Sequence, residues 1–276
     1  MRRQIVDLGA EAGAEAIAVA FYDYAHRTGW SFHADRWFHA ASTIKVPVLL
    51  GAFAAIDQGR LQPYSRVHIR NRFLSVADGR PYRVDPQRDS NAEVHAATGK
   101  TLQVRELARH MIVTSSNLAT NLLIEIIGLD EIQSALKDRG LHGIELQRGV
   151  EDIAAWELGI NNKVTAAGLL DALRVLAEER HFSADACREM MEILHSQEFR
   201  SGIPAGLPEH ARVAHKTGEI STVAHDAGIV YLPDREPYVV VILTEWKPDV
   251  GGRTATIARI SRIVYEYVTD GERDSD

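Results

Sequence analysis

Residues 41–50 read Ala-Ser-Thr-Ile-Lys-Val-Pro-Val-Leu-Leu, which places Ser42 and Lys45 three residues apart at the head of an apolar run. Side chains at positions i and i+3 of a helix share a face, so the Lys45 amine can lie over the Ser42 hydroxyl. Pro47 limits where the helix begins, because proline is tolerated only in about the first turn. The stretch predicts a helix that begins at or just after Ser42, with the hydroxyl near the positive end of the helix dipole.

This pair of side chains has two interpretations. A serine that caps a helix, followed by a solvated lysine, is a common surface arrangement and needs no chemistry. Alternatively, a lysine whose charge is disfavoured by burial can take the serine proton and make the hydroxyl a nucleophile. The rest of the chain decides between them.

Composition narrows the class of protein. The chain has 276 residues, of which 45% are hydrophobic and 25% charged, which is typical of a globular protein with one large domain or two lobes. The net charge of −7 gives nucleic-acid binding no electrostatic support. No apolar run is long enough to span a membrane. Cys187 is the only cysteine, so no internal disulfide can form.

The N-terminal residues do not form a signal peptide, because Asp7, Glu11 and Glu15 interrupt any apolar segment. We therefore expect a cytoplasmic protein from the chain as written, and a periplasmic or secreted one if an export signal precedes it. We also expect a monomer.

Hydrophobic periodicity predicts strands at both ends of the chain and helices in the middle. The predicted strands cover residues 16–24, 30–34, 212–218, 224–232 and 238–246. The predicted helices cover residues 42–58, 101–127 with a break at 114–117, 130–139, 164–180, 184–195 and 253–268. Residues 64–99 and 147–163 are predicted to be largely irregular.

The economical packing of these elements is an α/β architecture of the α+β type. One antiparallel sheet is built from both chain ends and flanked by terminal helices, and an all-helical lobe is inserted between them. We predict a single domain over residues 1–276, with an α/β lobe at about 1–40 and 205–276 and a helical lobe at about 41–204.

Three short motifs follow one another along the chain. Ser42-Thr43-Ile44-Lys45 begins a predicted helix, Ser115-Ser116-Asn117 lies at a break between helices, and Lys216-Thr217-Gly218 ends a predicted strand. Each motif alone is weak, but the three in this order resemble the set found in class A β-lactamases and penicillin-binding proteins. The resemblance extends over nearly the whole chain and favours the catalytic interpretation of the serine and lysine.

The resemblance implies acyl transfer through a covalent intermediate. Ser42 would be the nucleophile and Lys45 the base or proton relay, and Ser115 would pass a proton to the departing nitrogen. The backbone amides of Ser42 and Glu219 would bind the oxyanion.

The same resemblance assigns residues to substrate binding. Asn117 would hold a substrate amide, and Lys216 and Thr217 would supply charge and a hydroxyl for a substrate carboxylate. The substrate would be a β-lactam or a related amide or ester. No metal or organic cofactor is implied, because the sequence has no histidine, cysteine and carboxylate cluster with ligand spacing.

Three positions depart from the family pattern. Ser116 stands where the motif has an aspartate that braces the turn, which puts the packing of that turn in question. Glu219 stands where a small residue is usual, and its carboxylate would repel an anionic substrate. The strand at 224–230 carries no arginine for a substrate carboxylate, and Arg253 is the nearest candidate substitute.

The loop at 148–162 leaves three candidates for the carboxylate that activates the deacylating water. Glu157 begins a segment that imitates the family pattern Glu-x-x-Leu-Asn, whereas counting inward from Arg148 and Thr165 favours Glu151 or Asp152. A further alternative is that all three acids face solvent.

We therefore predict a serine hydrolase that forms an acyl-enzyme on Ser42 and acts on β-lactams, with slow deacylation if the loop acid is misplaced. Two alternatives use the same residues: a D,D-peptidase or esterase, and a β-lactam or muropeptide sensor that is acylated without turnover.

Overall fold

The computed structural model describes residues 1–270, so the last six residues of the predicted α/β lobe lie outside it. The helices of the described residues, α1 to α10 in chain order, are Arg2–Ala12, Lys45–Asp57, Ala92–Ala96, Val104–Val113, Asn117–Ile127, Leu129–Lys137, Ile153–Glu157, Ala166–Ala177, Ala184–His195 and Arg253–Asp270. The strands, β1 to β12, are Ala14–Asp23, Thr28–Phe32, Phe38–His39, Arg66–His68, Phe73–Leu74, Pro81–Tyr82, Thr101–Gln103, Ile144–Glu145, Lys163–Val164, Arg212–Ile220, Val223–Tyr231 and Tyr238–Trp246.

Five strands form the main sheet in the order β10-β11-β12-β1-β2, and every neighbouring pair is antiparallel. The two ends of the chain meet where β1 pairs with β12, in a register that sets Ala18 opposite Leu243. Residues 238–244 of β12 are all buried, because this strand has neighbours on both sides and packing on both faces. The predicted α+β architecture, with one antiparallel sheet from both chain ends, is confirmed.

The two faces of the sheet carry different layers. Ile5 of α1 and Ile257, Ile260 and Val264 of α10 pack in the cluster on one face. The other face packs against the helical middle of the chain, where Leu169 of α8 belongs to the larger core. No helix within residues 1–270 is both long and apolar enough to cross a membrane.

Helix α2 lies in the middle of the helical part. Its residues 45–55 are all buried, so it has no solvent-facing side. Gly51 allows α6 to pack closely, since a Cβ there would lie 2.8 Å from Ile132 Cγ2. A 3₁₀ helix, Ala41–Ile44, precedes α2 directly, so Ser42 lies one turn before the α-helix that was expected to begin at or just after it.

The predicted irregular segment 64–99 contains short strands and helix α3, and residues 101–103 form a strand where a helix was predicted. Strand β7 pairs with β4, and this distant partner outweighs the local helical pattern. Helix α4 begins only after Gln103, which forms a capping box with Glu106.

Candidate active site

The three motifs meet in one cleft with a volume of about 190 Å³. Its lining includes Ser42, Ser115, Thr217, Gly218 and Glu219. The first comes from the 3₁₀ helix before α2, the second from the turn before α5, and the others from the end of β10. Residues that are distant in sequence therefore share one solvent-accessible space.

Gly218 lets β10 approach the turn that carries the serine. A Cβ at this position would lie 2.8 Å from the backbone nitrogen of Thr43 and 3.0 Å from that of Ser42. Any larger residue would push the strand away from the turn. The close approach brings the Ser42 amide next to the strand that continues into Glu219, as a two-amide oxyanion site requires.

Lys45 lies at the start of α2 and has no exposed surface. Its Nζ donates to the Ser115 carbonyl oxygen at 2.6 Å, to Ser115 Oγ at 3.1 Å and to Asn117 Oδ1 at 2.8 Å. Among the hydrogen bonds of residues 1–270, none joins Lys45 Nζ to Ser42 Oγ. The Lys45 amine, which was expected to lie over Ser42, donates its hydrogen bonds to Ser115 and Asn117.

Burial is the main influence on the charge of Lys45. Removal from water lowers the pKa of its amine to about 7, and the nearby carboxylates of Asp89 and Glu151 oppose this shift. The neutral amine is therefore the main form only above about this pH. A lysine that is neutral near pH 7 can accept a proton, which an exposed lysine cannot do.

Lys216, on β10, is also fully buried, and its Nζ donates to the Thr217 carbonyl oxygen at 2.9 Å. Burial lowers the pKa of its amine well below the ordinary value, the neighbouring Lys45 lowers it further, and Asp226 opposes both. Two buried lysines thus lie close enough within the protein for the charge of Lys45 to affect the pKa of Lys216. Because burial disfavours the charge of both amines, an anion bound in the cleft would stabilise their protonated forms.

Ser115 adopts a left-handed backbone conformation, with φ of 60°. This conformation is strained for a residue other than glycine, and such strain concentrates at functional sites. Next to it, Ser116 caps α5 by accepting a hydrogen bond from the Ala119 amide at 3.2 Å. The cap ends the break between the helices and directs the Asn117 side chain to Lys45.

The carboxylate of Glu219 is paired. Its Oε1 accepts a hydrogen bond from Arg253 Nη2 at 2.7 Å, and Nη1 of the same arginine donates to the carbonyl oxygens of Ile220 and Ser221. The expected repulsion of an anionic substrate is reduced because an arginine neutralises the glutamate. Arg253 itself is committed to the hairpin between β10 and β11.

The three candidate loop acids lie in different surroundings. Asp152 caps α7 and accepts from Ser75 Oγ at 2.7 Å and from the Val76 amide, so its carboxylate is occupied by structural contacts. Glu157 is exposed at the end of α7. Neither side chain contacts the motifs.

Glu151 is the loop acid that the structure brings to the motifs. Its Oε1 accepts from Asn117 Nδ2 at 2.8 Å, and its Oε2 accepts from the Asp85 amide at 2.9 Å. Asn117 therefore joins Glu151 to Lys45 through the two ends of one amide group. Glu151 also has a left-handed backbone, with φ of 61°.

Two asparagines fix this loop. Asn162 accepts from the amides of Gln147 and Arg148 and donates to the Arg148 carbonyl oxygen, which closes the neck of the loop. Asn121 accepts from the Val150 amide at 2.7 Å and donates to its carbonyl oxygen at 2.8 Å, one residue before Glu151. The contacts of Asn162 and Asn121 therefore fix the backbone from which the Glu151 side chain extends to Asn117.

The sequence analysis did not identify Asp89, although its carboxylate contacts the middle motif. Asp89 is buried and accepts from the amides of Asn117 and Leu118. Serine at position 116 was the available signal, because a turn without its own aspartate needs an acceptor from elsewhere. Within residues 1–270 the structure contains no cluster of three side chains able to hold a metal ion.

Asn162→Ala should lower the free energy of unfolding by about 2–3 kcal/mol, because three hydrogen bonds at the neck of the loop are lost and buried backbone groups are left unpaired. Urea denaturation measures the change. Asn161→Ala is the matched control, since Asn161 Oδ1 accepts only one hydrogen bond, from Arg148 Nη2 at 3.2 Å, and we expect a loss below about 1 kcal/mol. Equal losses for the two variants would contradict this account of the loop.

Comparison with known proteins agrees with the geometry. The family model described as the beta-lactamase enzyme family matches residues 1–268. The chain is 22% identical over 263 residues to Beta-lactamase VEB-1 of Pseudomonas aeruginosa, which covers 91% of this chain and 85% of that protein. It is 26% identical over 179 residues to a beta-lactamase of Bacteroides uniformis, which covers 60% of each chain.

Solved structures share the fold over almost the whole chain. An ancestral class A β-lactamase matches with a TM-score of 0.83 and 25% identity, covering 96% of this chain and 98% of that one. The structure of PBP-A matches with a TM-score of 0.84 and 23% identity, covering 98% and 96%. From the family model, the relatives and these structures, the chain belongs to the beta-lactamase enzyme family and is a class A β-lactamase-like serine hydrolase.

Proposed function

We propose that this protein hydrolyses β-lactams, or closely related amides or esters, through an acyl-enzyme on Ser42. The observation that carries the proposal is the buried amine of Lys45, whose pKa is lowered to about 7 and which is hydrogen-bonded to Ser115 beside the cleft that Ser42 lines. A neutral amine, two hydroxyls and a cleft are the parts that acylation needs.

In the proposed acylation, Ser42 Oγ attacks the carbonyl carbon of the substrate and its proton passes to neutral Lys45. Lys45 then returns a proton through Ser115 Oγ to the ring nitrogen as the carbon–nitrogen bond breaks. The 3.1 Å hydrogen bond between Lys45 Nζ and Ser115 Oγ supports this second transfer. The amides of Ser42 and Glu219 are the proposed oxyanion donors.

We further propose that Lys216 and Thr217 receive the substrate carboxylate. The Thr217 hydroxyl in the lining of the cleft supports this assignment, and a bound carboxylate would favour the protonated form of the buried Lys216 amine. Arg253 is assigned no direct contact with substrate, because it already donates to Glu219 and to the hairpin backbone.

Deacylation requires a carboxylate that removes a proton from water. We assign this role to Glu151, since Asn117 connects it to Lys45 and the other two loop acids lie away from the motifs. Both Glu151 oxygens already accept an N–H group, so a water must share an occupied oxygen. We therefore expect deacylation to be slower than acylation.

A chromogenic cephalosporin assay run beside a fluorescent penicillin gel distinguishes the proposal from its alternatives. Turnover supports a β-lactam hydrolase. Stable labelling without turnover indicates a sensor that is acylated only once. The absence of both indicates a peptidase or esterase that does not accept the β-lactam ring.

Ser42→Ala should abolish covalent labelling by a penicillin probe, because the substitution removes the oxygen that is proposed to attack the substrate. Intact-protein mass spectrometry measures the adduct. Ser90→Ala is the matched control, since Ser90 lines the same cleft, and it should still form one adduct per chain. Labelling that survives in Ser42→Ala would refute the assignment of the nucleophile.

Glu151→Gln should lengthen the lifetime of the adduct by roughly 10²–10⁴-fold, the usual cost of removing a general base, while acylation persists. Stopped-flow mixing followed by mass spectrometry separates the two steps. Asp152→Asn and Glu157→Gln are the controls and should retain the lifetime of the parent protein. If Glu157→Gln prolonged the adduct and Glu151→Gln did not, the base would be wrongly assigned.

A further inference from the structure

Asp89 lies in the segment between β6 and α3, and its side chain reaches the start of α5. Its Oδ1 accepts from the Asn117 amide at 3.1 Å, and its Oδ2 accepts from the Leu118 amide at 2.9 Å and from Ser116 Oγ at 3.3 Å. The residue is 8% exposed, so water does not replace these contacts. The carboxylate thus binds both the side chain and the backbone of the middle motif.

Asp89 and Ser116 accept hydrogen bonds from different amides at the N-terminus of α5. Asn117 and Leu118 are the first two residues of α5, and their amides have no partner within the helix. Asp89 accepts both, while Ser116 accepts the next amide, that of Ala119. A negative charge at a helix N-terminus is also favoured by the helix dipole. Two side chains from distant segments therefore complete one cap.

The loop around Asp89 is itself ordered by the same carboxylate. Asp89 Oδ1 accepts from the Asn91 amide at 3.2 Å, and Oδ2 contacts His95 Nε2 at 3.0 Å. Asn91 in turn caps α3 and contacts His110 Nδ1 at 3.0 Å on α4. Because the Asp89 carboxylate contacts both its own loop and the middle motif, the position of the loop helps to fix the position of the motif.

We propose that Asp89 is a positioning residue for the acylation site: from a separate loop it supplies the bracing carboxylate that the motif lacks at Ser116, and so holds Ser115 and Asn117 against Lys45. This inference rests on the proposed function. Ser115 precedes the braced cap and has strained backbone, so the hydrogen bonds of the cap stabilise a conformation that the residue would otherwise leave.

The brace also acts on the base through its charge. Asp89 and Glu151 raise the pKa of the Lys45 amine and burial lowers it, while Lys216 is a second buried amine close enough for Lys45 to lower its pKa. His95 contacts the far side of the Asp89 carboxylate. Neutralising Asp89 therefore displaces the pKa of Lys45 downward, a change that loss of packing alone would not produce.

Asp89→Asn keeps the size of the side chain but removes its charge and one of its two accepting oxygens. At saturating penicillin we expect the acylation rate constant to fall about 10²-fold, the usual cost of a small displacement of reacting groups. The acid limb of its pH profile should move to lower pH, because Lys45 becomes neutral at lower pH. An unchanged rate constant, or a limb that stays in place, overturns the proposal.

Asp23→Asn is the matched control. Asp23 is a buried aspartate that accepts from the Ala25 amide and contacts His26, as Asp89 does with its own neighbours. It also pairs with Arg235, and it lies at the opposite end of β1 from the motifs. This variant should lose stability without moving the acid limb. The double variant Asp89→Ser, Ser116→Asp returns a carboxylate to the motif itself. We expect it to be acylated at least tenfold faster than Asp89→Asn. Acylation no faster than in Asp89→Asn would count against the bracing role of Asp89.

Amide hydrogen exchange separates failure of this inference from failure of the proposed function. The Leu118 amide should exchange faster in Asp89→Asn and remain protected in Asp23→Asn, whether or not penicillin reacts. A parent protein that is not acylated contradicts the proposed function alone. A Leu118 amide that stays equally protected in Asp89→Asn contradicts the brace alone.

Discussion

Lys45 lies with no exposed surface at the start of a helix that is buried on every side. An amine cannot be buried in this way unless acceptors surround it or its charge is lost, because an unpaired buried charge costs several kcal/mol. The turn at Ser115 and Asn117 supplies three acceptors for the protonated amine. Burial also lowers the pKa of the amine to about 7, so the charge is mostly lost above that pH. The need of the buried amine for acceptors therefore constrains the position of the turn at Ser115 and Asn117.

Each layer of the fold contributes one part of the site to that amine. The helical middle of the chain provides Lys45 and the turn, the sheet provides Lys216 on β10, and the loop closed by Asn162 provides Glu151. Gly218 allows the sheet to come within contact of the serine turn. The architecture therefore brings three separate segments to one buried amine.

Much of this arrangement could be predicted from local sequence. The strand at 238–246 is bounded as observed because a continuous run of β-branched and other apolar residues favours a strand that is buried on both faces. The helix at 184–195 is also as predicted, since Ser183 caps it in the usual way. The three motifs indicated the site because each stands at the start or end of an element.

The rest depends on contacts between distant residues. Asp89 reaches partners 27 to 29 positions away, which no periodicity reveals. Glu151 could not be separated from its neighbour Asp152 by counting, because the direction of each side chain depends on the contacts of Asn121 and Ser75. Similarly, helical spacing relates Lys45 to Ser42, but it could not reveal that the amine donates to Ser115 in a turn 70 residues away.

The central claim is that Lys45 is a buried base that is neutral near physiological pH. Its amine can be titrated directly by NMR on protein with isotope-labelled lysine, with the resonance assigned by comparison with Lys45→Arg. The account predicts a midpoint at about 7. A midpoint near the ordinary lysine value of about 10.4 would show a solvated or fully paired cation and would contradict it.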